Sequence, residues 1–145
     1  MIEEAWARPG GAAVLLALDW AKAFDSATPA SLFKALDRFG IPAAFIEAVA
    51  DIYSNRSFCV RDAGVQSDMH PQKAGICQGC PLSPFLFVIL MTILISDAKQ
   101  ELRDQVGIGE LPFGIEELLY ADDTLLIDTD GQRASEYMRI TGELG

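Results

Sequence analysis

Tyr120-Ala121-Asp122-Asp123 stands between two short apolar runs, with Ile115, Leu118 and Leu119 ahead of it and Leu125, Leu126 and Ile127 behind it. Short β-permissive runs on either side of a polar pair predict a hairpin with two carboxylates at its tip. Adjacent carboxylates repel one another, and a divalent cation such as Mg²⁺, which favours hard oxygen ligands, is the usual way to offset their charge. Taken alone, an Asp pair in a turn is more often simply solvated, because Asp is a common turn residue. A second apolar run ending in an aspartate shifts that balance. Val14-Leu15-Leu16-Ala17-Leu18 leads into Asp19, and a run of this length suits a buried central strand, although periodicity alone does not separate it from a helix. Neighbouring strands would bring Asp19 beside Asp122 and Asp123 at one end of a sheet. Three carboxylates so placed can hold two metal ions about 3.5–4 Å apart, the arrangement that serves in-line phosphoryl displacement.

The 145 residues are one domain's worth of chain, and a hydrophobic share of 50% with 22% charged residues marks globular rather than disordered material. The longest apolar run, Phe85 to Ile95, is shorter than the roughly 20 residues a bilayer span needs. The acidic start Met1-Ile2-Glu3-Glu4 lacks the basic and apolar regions of a signal peptide. An intracellular protein is the expectation, with nucleus and cytoplasm not distinguished, and the sequon Asn55-Arg56-Ser57 then carries no weight. A formal net charge of −10, from 11 basic against 21 acidic residues, argues against a self-sufficient grip on nucleic acid, which displays a basic surface. Arg56, Arg61 and Lys73 form the one local basic cluster.

Cys59, Cys77 and Cys80 cannot complete a set of disulfides. Cys77-Gln78-Gly79-Cys80 has CxxC spacing, and Cys59 with His70 would make four zinc ligands, the basis for a zinc-binding interaction module. Structural zinc sites usually show two close-spaced ligand pairs, so reduced, partly buried thiols are the preferred reading.

Residues 1 to 13 read as a lead-in broken by Pro9-Gly10-Gly11. Thr28-Pro29 predicts an N-cap and first helical position, Leu32, Phe33, Leu36 and Phe39 share one face of the helix, and Gly40 stops it. Pro42 opens a second helix whose stripe is Phe45, Ile46, Val49, Ile52 and Tyr53; both stripes read as core faces. Phe58, Val60 and Val65 flank a turn near Ala63-Gly64, predicting a small hairpin over Ser57 to Val65. A loop rich in Pro, Gly and Cys runs to Pro84. Phe85 to about Leu102 predicts a helix apolar nearly all round, hence buried. Gly107 to Gly114 reads as a linker, and the tail from Gly131 as another helix.

Leu18-Asp19-Trp20-Ala21-Lys22-Ala23-Phe24-Asp25-Ser26 resembles the first catalytic motif of reverse transcriptases of the non-LTR (LINE-like) retrotransposon type. Gln78-Gly79-Cys80-Pro81-Leu82-Ser83-Pro84-Phe85-Leu86-Phe87 is similar to their second motif, and Tyr120-Ala121-Asp122-Asp123 to their third. Leu36 to Pro42 and Tyr53 to Val60 resemble the connecting segment, so the likeness covers nearly the whole chain in order. Cys77 stands where the family often has proline. Tyr120-Ala121 favours reverse transcriptases over RNA-directed RNA polymerases, which usually carry Gly there.

The resemblance implies an α/β (α+β) polymerase palm, a small antiparallel sheet backed by helices, over 11–27 and 76–145, with a fingers-like segment at 28–75. It implies an RNA-directed DNA polymerase working with two Mg²⁺ or Mn²⁺ ions, an RNA template, a DNA primer and deoxynucleotides, and no membrane. Asp19, Asp122 and Asp123 match the catalytic metal-binding carboxylates, and the backbone carbonyl of Trp20 a further metal ligand. Phe24 matches the aromatic that excludes a ribose 2′-hydroxyl, with a core aromatic as its alternative. Gln78 and Gly79 match positions lining the nucleotide pocket, where Gly lets backbone approach a ligand closely. Asp25 is read as a structural helix cap. The family's basic fingers region precedes the first motif and its thumb follows the third, so this chain reads as a fragment expected to bind nucleic acid weakly by itself. The competing reading is a truncated, catalytically inactive relic.

Overall fold

The computed structural model describes residues 11–106 and 116–145, together with Glu3 and Ala7. The first half of the chain forms β1 (Val14–Asp19), α1 (Ala23–Ser26), α2 (Pro29–Phe39), α3 (Ala43–Tyr53), β2 (Ser57–Phe58), β3 (Arg61–Asp62), β4 (Val65–Gln66) and β5 (His70–Pro71). The second half forms α4 (Ser83–Val106), β6 (Glu116–Tyr120), β7 (Asp123–Asp128) and α5 (Gly131–Leu144). Helices beside a small antiparallel sheet are the α/β mixture expected of a palm. The described residues divide into two compact units, one reaching to Trp20 and resuming at Met91, the other spanning Ala21–Leu90. Ile115, the linker at 107–114 and most of the lead-in, including Pro9-Gly10, lie outside the described residues.

The first unit is built on an antiparallel sheet in the order β1-β7-β6. The hairpin expected around Tyr120-Ala121-Asp122-Asp123 is present, but β7 rather than β1 takes the centre. In β1 the half-buried Val14, Leu16 and Leu18 alternate with the exposed Leu15, Ala17 and Asp19. Leu16 and Leu18 pack on a core of Ala98, Leu102, Leu126, Tyr137 and Ile140. The opposite face is open enough to leave Leu15 48% exposed. An apolar run therefore did not report how many neighbours the strand has.

The chain leaves β7 through Asp128, which is 1% exposed. Its carboxylate accepts the backbone N–H groups of Thr129 (2.6 Å) and Asp130 (3.0 Å) and both arms of the Arg133 guanidinium, Nε at 2.7 Å. That pairing holds the Arg133 guanidinium above its ordinary range. Asp130 caps α5 by accepting from the N–H groups of Arg133 and Gln132, which keep its own carboxyl below the usual carboxylate range. Tyr137 of α5 is wholly buried, and its hydroxyl finds no hydrogen-bond partner. Burial, and secondarily the Glu117 charge, push that phenol's ionisation up.

In the second unit, the Thr28 hydroxyl accepts from the Ser31 N–H (3.1 Å), Pro29 follows, and Gly40 ends α2 at φ 92°. Leu32, Ala35 and Leu36 are buried, whereas Phe39 is 49% exposed. The stripe on α3 divides: Ile46, Val49 and Tyr53 are covered, while Phe45 and Ile52 are 67% and 54% exposed. That stripe is wider than the contact a helix makes with a single neighbour, here α2. The hairpin turn at Ala63-Gly64 forms between β3 and β4, and a second ladder, β2 with β5, extends it. Helix α4 runs past the expected ends at 85 and 102, and it is not buried all round, since Phe85 and Val88 are exposed. No helix among the described residues is long and apolar enough to cross a membrane.

Candidate active site

The register of β1 with β7 sets Asp19 directly opposite Asp123, and Tyr120 is the partner of Asp123 on its other side. Opposed residues of an antiparallel pair share one face, with Cβ atoms about 4.5–5.5 Å apart. Two carboxylates so opposed repel, an arrangement that costs stability unless a charge offsets it. Among the described residues no lysine or arginine pairs with Asp19, Asp122 or Asp123. Asp122 and Ala121 form the two-residue turn between β6 and β7, with Ala121 at φ 54°. A residue with a Cβ costs about 1–2 kcal/mol in that left-handed region, and such strain gathers at functional sites.

The structure thus brings Asp19 and Asp123 together and carries Asp122 in the adjoining turn. Among the described residues, no three Asp, Glu, His or Cys side chains form a ready-made metal cluster. Trp20 fixes the exit of β1 in another way: its indole Nε1 donates to the Thr124 hydroxyl (3.1 Å), and Thr124 is buried in β7. Reading the sequence missed this tie. The signal was a polar Thr124 opening an otherwise apolar run.

Within the Ala21–Leu90 unit, Phe24, Gln78 and Gly79 line one groove of about 540 Å³ together with Cys80, Pro81, Ser83 and Pro84. Phe24 is half-buried and stacks on Phe87, with ring centroids 4.2 Å apart and planes 15° apart. Asp25 is not a helix cap. Lys22 occupies that position for α1 without a side-chain bond, while the Asp25 carboxylate accepts from the Gln78 amide (3.2 Å). Gly79 sits at φ 83° with open space where a Cβ would lie. Its backbone conformation, rather than a close approach, calls for glycine. The Ser83 hydroxyl donates to the Cys77 carbonyl at the start of α4.

The zinc reading gains no support among the described residues. The three cysteines are free thiols, no metal cluster forms around them among the described residues, and His70 lies against the Phe58 ring at 5.7 Å. The basic cluster is also partly engaged within the fold. Arg56 donates to the Gly75 carbonyl (2.8 Å), and Arg61 donates to the Gln66 side chain (3.0 Å).

The family model described as reverse transcriptase (RNA-dependent DNA polymerase) matches residues 2–144. The chain is 28% identical over 128 residues to the Retrovirus-related Pol polyprotein from type-2 retrotransposable element R2DM of Drosophila melanogaster, a match covering 86% of this chain and 12% of that polyprotein. It is 29% identical over 134 residues to the Retrovirus-related Pol polyprotein from type-1 retrotransposable element R2 of Popillia japonica, covering 88% of this chain and 19% of the relative. The chain therefore spans less than a fifth of the length of either relative.

Proposed function

From the premise that the chain belongs to the reverse transcriptase (RNA-dependent DNA polymerase) family, we propose that it carries the palm of an RNA-directed DNA polymerase. The palm is residues 11–27 and 76–145, with 28–75 as a fingers-like segment. The reaction is attack of a DNA primer 3′-hydroxyl on the α-phosphate of a deoxynucleotide, directed by an RNA template. The observation that carries this reading is the opposition of Asp19 and Asp123 across the β1–β7 pair, with Asp122 in the strained turn beside them.

These carboxylates are hard oxygen donors without basic partners among the described residues, and in that chemistry they fit the divalent ions that reverse transcriptases use. Asp19, Asp122 and Asp123 would hold two Mg²⁺ or Mn²⁺ ions, with the Trp20 backbone carbonyl as a further oxygen. When bound, such ions activate the attacking hydroxyl and neutralise the charge that develops on the leaving pyrophosphate. The residues of the chain itself do the positioning. The strand register holds the carboxylates opposed, and the Trp20–Thr124 bond keeps β1 from slipping at its end. Phe24, braced by Phe87, lines the groove where the sugar would lie, and Gln78, held by Asp25, lines the same groove.

Steric rejection of a 2′-hydroxyl by Phe24 is testable in a polyprotein of R2 length that carries this segment. The wild type is expected to extend a DNA primer on RNA with deoxynucleotides in preference to ribonucleotides. Phe24→Ala should shift the ratio of kcat/KM values toward ribonucleotides by at least about tenfold. An unchanged ratio would make Phe24 a packing residue, and no extension by the wild type would remove the polymerase reading.

A further inference from the structure

Helix α3 ends at Tyr53, and the residues that follow it, Ser54-Asn55-Arg56, fold back on the helix end. The Ser54 N–H and hydroxyl both donate to the Asp51 carbonyl, and Asn55 turns left-handed at φ 51°, a conformation asparagine tolerates better than most residues. The turn returns Arg56 over the Tyr53 ring, its guanidinium carbon 4.1 Å from the ring centroid. Two of the Arg56 nitrogens, Nε and Nη1, are buried with no hydrogen-bond partner. Enclosing a cation with unmet donors is costly, and the ring face offsets part of that cost.

What this ending grips is the approach to Gln78-Gly79. Arg56 Nη2 donates to the Gly75 carbonyl (2.8 Å), and the Tyr53 hydroxyl accepts from the Cys77 N–H (3.4 Å), one residue to either side of the buried Ile76. The Arg56 carbonyl accepts from the Gln72 N–H (2.8 Å), tying the same loop further upstream. On its other side the loop is held by the Phe24 segment. The Gly75 N–H donates to the Ala27 carbonyl (2.8 Å), the Ile76 N–H to the Phe24 carbonyl (2.6 Å), and the Gln78 amide to Asp25. Gly75 lies at φ 91°, where a Cβ would come within 3.3 Å of the Asp25 backbone. The loop is therefore clamped between two walls, and the groove residues Gln78 and Gly79 follow directly from the clamp.

We propose that Tyr53 and Arg56 are positioning residues for the nucleotide groove: together they set the course of Gly75–Cys77, and through it the placement of Gln78 and Gly79. This rests on the nucleotide role assigned to that groove above. Neither side chain lines the groove, so neither is a catalytic residue. Both act through the loop.

The test uses the three free cysteines as reporters in the 145-residue chain: Cys77 in the loop, Cys80 just after it, and Cys59 away from it as the control. Alkylation of Cys77, Cys80 and Cys59 is followed by mass spectrometry, with and without dTTP and Mn²⁺. Tyr53→Phe keeps the ring beneath Arg56 but strands the Cys77 N–H. It should speed alkylation of Cys77 and Cys80 about fivefold, the weight of one ordinary hydrogen bond, while Cys59 and the melting temperature stay near wild type. The dTTP concentration that half-protects Cys80 should rise by a similar factor. Arg56→Met should do the same more strongly, and Arg56→Lys, which keeps the charge but not the fork, should rescue it only in part. Unchanged Cys77 and Cys80 rates in both Tyr53→Phe and Arg56→Met would overturn the proposal. So would an equal acceleration of all three cysteines, which reports general loosening. If dTTP fails to protect Cys80 in the wild type, the nucleotide reading falls and this proposal with it. That outcome is distinguishable, because the contrast among the cysteines needs no nucleotide.

Discussion

Asp19→Asn and Asp123→Asn are each expected to abolish deoxynucleotide incorporation while leaving the fold at least as stable as before. The two effects have opposite signs for one physical reason. The residues are register partners at the end of the β1–β7 ladder, so in the absence of a cation their charges oppose each other and weaken the pair. Neutralising one of them relieves that repulsion. On the proposed metal-holding role the same change should be ruinous for the chemistry, because charge held at the reacting phosphate is worth several kcal/mol, and at about 1.4 kcal/mol per decade this amounts to a loss on the order of 10³-fold. Primer extension in a polyprotein of R2 length carrying this segment, beside thermal melting of the same variants, reads both. Variants that melt well below the wild type would show that the two aspartates are structural, and their loss of activity would then say nothing about catalysis.

Arg133→Met is expected to destabilise the chain by about 3–5 kcal/mol, the usual result of leaving one member of a buried ion pair alone. Asp128 is almost completely enclosed, and Arg133 is its only side-chain partner among the described residues. Urea unfolding of the single variants and of an Asp128→Leu/Arg133→Met double variant gives the coupling directly. The double variant should regain much of the loss, since replacing a buried pair by apolar groups removes the stranded charge. A double variant as unstable as the sum of the singles would mean that Asp128 acts mainly through the backbone N–H groups of Thr129 and Asp130.

The two ends of the candidate site were legible for different reasons. Tyr120-Ala121-Asp122-Asp123 announced its hairpin because a polar pair between two apolar runs leaves the chain few alternatives, and Thr28-Pro29 with Gly40 bounded α2 because capping chemistry is local. That Asp19 neighbours Asp122 and Asp123 follows from two apolar runs that each meet an aspartate, and the antiparallel sheet from the resemblance; the register opposes Asp19 to Asp123 rather than to Asp122. What could not be read was anything set by distant partners. The edge position of β1, the exposure of Phe45, Ile52 and Phe85, and the use of Asp25 to hold Gln78 all depend on which surfaces meet. Nothing in the sequence singles out Asp128 or Arg133. Only the burial of the end of β7 makes them a pair.

If the Asp19, Asp122 and Asp123 end of the sheet is a divalent-metal site, Mn²⁺ titration followed by electron paramagnetic resonance will register it. The wild-type chain should bind Mn²⁺ weakly, because substrate phosphates normally complete the shell, and binding should strengthen when dTTP is added. An Asp19→Asn/Asp122→Asn double variant should lose most of that binding, with or without dTTP beyond what the nucleotide binds in free solution. Equal Mn²⁺ binding by the wild type and the double variant would mean that these carboxylates do not hold the ion.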